Sequence, residues 1–353
     1  MRNNLAYFRA HLKESLRPTF FFTIVAVVIC TFILQTNSVV RWETFGNIRH
    51  YRGLRADAML QPLGVVLCAL CYIVAYLQFS GFKKRRNLDC FYALPITRRA
   101  LGVIHYLVGL FQVLVPFTGA YLISLFLFCI RAIEYVAPVL GSLILWYLLC
   151  LLLLCIMYSF LVFAFNVANT SLDGCVFMLL YTFVFAPITA WLVWVADKQE
   201  ILSSTLDVGA INSFLFGPLV TLTNICVNFA WNGGDVSAVT RNERGDVAAV
   251  VWLVFWIVVG ILSFLGFFFS FGKRRTEKTE ETSDSYFGYR ILIPFMAFST
   301  TFWMFQWASN MEIWFYLGID VLALMMYTLY RRGFHYKKSD FIVIGLLLLL
   351  LII

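Results

Sequence analysis

The sequence predicts an all-α, polytopic membrane protein with about 8 transmembrane helices. Two observations point there. Of 353 residues, 61% are hydrophobic and only 13% are charged, about half the charge of a soluble domain. The apolar residues also fall into long runs separated by short polar breaks, each run near the 20 or so residues that cross a bilayer.

In chain order the runs are Pro18 to Gln35, Gln61 to Ser80, Leu101 to Ile130, Val139 to Phe165, Cys175 to Ala196, Val247 to Phe271, Tyr289 to Ala308 and Ile313 to Tyr330. A final run, Phe341 to Ile353, has 13 residues, short of the roughly 17 a span needs. It reads as a partial, interfacial or re-entrant segment, or as the start of a longer one. The first residues, MRNNLAYFRAHLKESLR, are amphipathic and charged and do not read as a signal peptide. Nine cysteines lie mainly in apolar runs, as small hydrophobes rather than a disulfide framework. The Cys68-x-x-Cys71 pair has no second ligand pair nearby and reads as helix packing.

Basic residues at the span ends set the orientation. With the N-terminus cytoplasmic, that side receives Arg2, Arg9, Lys13 and Arg17, then Lys83 to Arg86 with Arg98 and Arg99. It also receives Lys273 to Arg275, Lys278 and Arg290, and then Arg331, Arg332, Lys337 and Lys338. Together these are 19 of the 27 Lys and Arg. The first outer loop, Thr36 to Leu60, goes against the trend with Arg41, Arg49, Arg52 and Arg55. The division that follows is a cytoplasmic amphipathic helix over 1–17, a six-span core over 18–271, a cytoplasmic linker over 272–288 and additional spans over 289–353. The core carries a cytoplasmic loop at 81–100 and an outer loop at 197–246. Gly217-Pro218 breaks the apolar patch in that outer loop, which reads as re-entrant or surface-lying.

Several chemistries lack their residues. No glycine-rich loop leads into Lys and Ser or Thr to cradle a phosphate, so the chain is not expected to hydrolyse ATP by itself. No H-E-x-x-H, G-x-S-x-G or Cys/His cluster is present, and neither a metal nor a catalytic residue is expected. The four histidines, His11, His50, His105 and His335, are scattered and read as interfacial. Ionisable groups inside spans are costly and mark ion pathways. Asp320 is the best candidate for such a group.

One segment asks for more than a topology signal. Gly81 to Tyr106, GFKKRRNLDCFYALPITRRALGVIHY, holds six basic residues and one acid, Asp89. After the basic run, Asp89, Phe91, Tyr92 and Leu94 form a short mixed stretch. Pro95 disfavours helix at Leu94, and Thr97 is placed to N-cap a new helix entering the next span through Arg98 and Arg99. A short helix, a turn and a fresh helix start suit docking into a groove on a soluble partner.

The order KKRRNLDCFYALPITRRALGVIHYLVGL resembles the first cytoplasmic loop of bacterial ABC exporter permeases of the type-2 class, particularly Firmicute-like members. The amphipathic Leu5 to Arg17 and the segment RRGFHYKKSDF, Arg331 to Phe341, are similar to the connecting helix and a cytoplasmic segment of the same permeases. The chain departs from that class in offering more than its basic six spans. The resemblance implies an ABC-2-type core plus extra helices in the bacterial plasma membrane. Asn87 to Thr97 would be a coupling helix on a separate ABC ATP-binding subunit. Phe91, Tyr92, Leu94, Pro95 and Thr97 would lie at the contact, Asp89 would pair with a basic residue of that subunit, and Arg98 and Arg99 would hold the helix at the lipid surface. The chain itself would carry no cofactor; ATP and Mg would sit in the partner. A second permease chain completes the expected assembly, and no nucleic acid does. The expected function is outward movement of a peptide, drug or lipid-like molecule. The alternative is an ion-coupled secondary transporter using Asp320.

Overall fold

A computed structural model describes residues 2–36, 40–45, 48–54, 57–131, 140–182, 248–273, 280–281 and 287–307, with isolated positions between 318 and 345. Its helices are α1 (Arg2–Thr36), α2 (Asp57–Phe79), α3 (Arg85–Tyr92), α4 (Arg98–Arg131), α5 (Leu140–Val167), α6 (Ser171–Thr182), α7 (Ala248–Lys273) and α8 (Tyr289–Trp307). Among the described residues, four helical segments are long and apolar enough to cross a membrane: Asn3–Gln35, Arg98–Arg131, Tyr147–Val167 and Val254–Lys273.

Two expectations need amending. The all-α reading holds for the described apolar segments, but the first loop carries an antiparallel hairpin, β1 (Val40–Phe45) with β2 (Ile48–Leu54). Its register pairs Phe45 with Ile48 and Trp42 with Tyr51, then shifts so that Arg41 faces Gly53. The expected separate helix over 1–17 is instead the beginning of α1, a single 35-residue helix that continues through Pro18. Proline removes one backbone donor and bends a helix interior. Around it the hydroxyls of Ser15, Thr19 and Thr23 donate to the carbonyls of Leu12, Ser15 and Thr19 at 2.7, 2.6 and 2.8 Å, which satisfies them inside an apolar helix.

The described chain forms two compact units. In the first, comprising 1–82, 86–163 and 218–274, α4 packs against α1, α2 and α7, and α1 also packs against α2. Helices α1 and α4 run parallel: Tyr7 meets His105, a side chain on Gly119 would meet Thr23, and Arg131 donates to the carbonyl of Leu34 at 2.7 Å. The expected first and third spans thus share a direction. Ala26, Cys30 and Leu34 are buried along one stripe of α1, while Phe20, Phe21, Val28 and Phe32 are exposed on the other side. Cys71 is buried.

In the second unit, Phe177 of α6, Leu292 of α8 and Ala168 form a buried cluster with Tyr181, Tyr289 and Met296 packed on it. The Tyr289 hydroxyl donates to Asp173 Oδ1 at 2.7 Å. Asp173 in turn receives N-capping support, its amide donating to Thr170 Oγ1 at 3.0 Å. The outer loop over 197–246, most of the linker and Asp320 lie outside the described residues.

Candidate functional site

The segment between α2 and α4 folds as a 3-10 turn, Ser80–Lys83, followed by α3 and a turn into α4. Helix α3 is two turns long and strongly two-faced. Leu88 is buried and Phe91 half-buried, three residues apart on one side, while Arg85, Arg86, Asp89 and Cys90 are exposed. The Ala93 amide closes the last turn on the Asp89 carbonyl at 3.0 Å. Around Pro95 the Ile96 amide reaches the Leu94 carbonyl at 2.7 Å, a γ-turn that reverses the chain. Thr97 Oγ1 then accepts the Ala100 amide at 3.4 Å and the Thr97 carbonyl accepts from Leu101, opening α4.

The sequence-expected contact residues therefore divide. Asp89, Pro95, Thr97, Arg98 and Arg99 are exposed and Leu94 is half-exposed; the side chain of Tyr92 lies outside the described residues. Phe91 points inward. Its ring lies 4.5 Å from that of Phe82, and a β-carbon on Gly81 would come within 3.3 Å of it. Phe82, 2% exposed, is the hub of an aromatic cluster, with Phe271 at 5.2 Å and the His105 imidazole at 4.8 Å, both edge-on. Such edge-to-face contacts add to simple burial. Phe91 is thus a key that seats α3 on the ends of α2, α4 and α7.

Close approach of α4 to α7 depends on two glycines. A β-carbon on Gly102 would strike the Phe271 ring at 2.6 Å, and one on Gly272 would strike the stem of Arg99 at 2.8 Å. Arg99 accordingly lies across α7 with its guanidinium 5.7 Å from the Phe268 ring, a cation–π contact.

Behind Phe82 lies a polar cluster that the sequence pattern alone did not single out. His11 Nε2 and His105 Nδ1 both meet Gln78 Oε1, at 3.0 and 3.2 Å. Tyr7 Oη meets His105 Nε2 at 3.1 Å, and the Gln78 amide nitrogen donates to Gln112 Oε1 at 2.7 Å. Gln112 continues to the Ser15 carbonyl at 3.4 Å. Tyr7, His11 and Ser15 recur every four residues on α1, and His105 and Gln112 are seven apart on α4. Helical spacing of polar residues at apolar contacts was the available signal.

Lys83 also differs from its sequence-based expectation, which treats it only as part of a basic run. In the second unit it is buried. Its ammonium donates to the carbonyls of Asn166 and Ala168 at the end of α5 and sits 5.2 Å from the Phe165 ring, as a cation does at a helix C-terminus. Its neighbour Arg85 meets the linker carboxylates of Glu280 and Glu281 at 3.8 and 4.0 Å. Among the described residues no cluster of His, Cys, Asp and Glu could hold a metal ion. No protein-family model, curated protein or solved structure matches the chain.

Proposed function

We propose that this chain is the transmembrane subunit of an ABC-2-type exporter, moving a peptide, drug or lipid-like molecule with energy from ATP hydrolysed by a separate subunit. On this reading it spans the bacterial plasma membrane about eight times with its N-terminus cytoplasmic, and pairs with a second permease chain. The resemblance of the 83–110 region supports the assignment. The observation that carries the mechanism is the seating of Phe91 on Phe82.

A helix two turns long transmits force only if it cannot rotate on its support. The exposed face of α3, with Arg86 and Asp89, is the part offered to the ATP-binding subunit. The buried face, Leu88 and Phe91, is what turns movement of that subunit into movement of α2, α4 and α7 through Phe82 and Phe271. Binding and force transfer are thereby assigned to different residues of one helix.

Co-purification with the ATP-binding subunit and transport in vesicles test the division. Asp89→Arg is expected to weaken association about tenfold, a typical cost of reversing an interfacial charge. Phe91→Ala is expected to leave association intact while transport is largely lost. Unchanged association and transport in Asp89→Arg would sink the reading.

A further inference from the structure

We propose that Tyr7, His11, Gln78 and His105 form a proton-binding clasp. It holds the first turns of α1 against α2 and α4 while the histidine pair carries at most one positive charge, and releases them when the pair takes a second.

The hydrogen-bond geometry dictates where the hydrogens are. Because the Gln78 amide nitrogen is committed to Gln112, the atom facing both imidazoles is the Gln78 oxygen, and an amide oxygen only accepts. Both ring nitrogens that meet it must therefore carry hydrogen: Nε2 of His11 and Nδ1 of His105. In the neutral state the two histidines are opposite tautomers. His105 Nε2 is then an acceptor and takes the Tyr7 hydroxyl hydrogen. The remaining nitrogen, His11 Nδ1, faces the carboxylate of Glu14 at 3.9 Å.

A proton on His11 Nδ1 would break no bond in the cluster, because that nitrogen faces the carboxylate of Glu14, which is 83% exposed. A second proton can go only to His105 Nε2. There it reverses the Tyr7 bond, the hydroxyl now accepting from Nε2–H, and places a cation on a buried ring whose centroid is 4.2 Å from that of His11. The surroundings of His105 offer no counter-charge among the described residues. From α1 it faces Tyr7 and His11, from α2 Gln78 and Phe79, from the following turn Phe82 and from α3 Phe91. The α7 residues Phe267 and Phe271 pack on Phe79. Glu14, on the far side of His11, is the acid of the cluster. Two like charges at this distance in a water-poor site repel strongly, and the pair relieves the repulsion by parting α1 from α4.

The test uses the full chain in lipid bilayers, labelled with 15N-histidine, with the four imidazoles assigned by backbone correlation. At neutral pH His105 should carry its hydrogen on Nδ1. Protonation of His105 at Nε2 should coincide with a fall of about tenfold or more in hydrogen-exchange protection, corrected for intrinsic exchange, across the turns containing Tyr7 and His11. His105→Gln should retain that protection through the same pH range. A His105 with its hydrogen on Nε2 at neutral pH overturns the proposal, as does a variant that loses protection at the same pH as the unmodified chain. The tautomer measurement needs no substitution and decides the matter if the variant does not fold.

Discussion

Between Tyr7 and Ser15, α1 is held by side-chain hydrogen bonds to Gln78, His105 and Gln112. Between Ala26 and Leu34 the same helix is buried through small and aliphatic side chains alone until Arg131 meets its end. On α4 the change is parallel: His105 and Gln112 give way to Phe117, Tyr121 and Phe128. Apolar contacts in a membrane are favoured by shape rather than by water exclusion, and they tolerate small slips. Buried hydrogen bonds do not, because a donor displaced within a packed interface finds no substitute. Between α1 and α4, one end therefore fixes register and the other fills space, while Tyr121 and Thr118 direct their hydroxyls to Leu143 and Tyr147 of α5.

Three substitutions probe that contrast. Phe117→Ala should be the most damaging. It empties a fully buried site where the ring stacks on Tyr147 at 5.5 Å, at a cost of about 3 kcal/mol read from reversible unfolding in detergent. Gln78→Leu should cost about 2 kcal/mol by stranding imidazole donors, and unlike the first change it should also loosen the turns around His11 in hydrogen exchange. Arg131→Ala, which removes the guanidinium from the carbonyls of Leu34 and Gln35, should cost about 1 kcal/mol and fray only the end of α1. If Gln78→Leu proved harmless, the register-setting role of the polar end would fail.

The apolar helices were legible because a run of about 20 consecutive apolar residues matches the thickness of a bilayer and fits few soluble folds. The turn at Pro95 and the start of α4 at Thr97 were legible from local chemistry. The faces of α3 were not: over eight residues, periodicity says that Leu88 and Phe91 share a side, but not whether that side meets the protein or a partner. The histidine pair was hidden by distance along the chain, since His11 and His105 meet only after α1 and α4 align in parallel. Lys83 was hidden by company, being one cation in a run whose other members are exposed. The hairpin carries a local signal after all. Gly46-Asn47 between VRWETF and IRHYRGL is a residue pair that signals a hairpin, hidden by the arginines on either side, which make the loop look like a charge cluster.

Pro18 falls between the hydrogen-bonded turns of α1 and its tightly packed half. It withholds the donor that would have closed on the Glu14 carbonyl, leaving the helix most compliant at that point. The missing tie divides the rod: strain arising at the histidines meets a weakened turn before it reaches Ala26, Cys30 and Leu34.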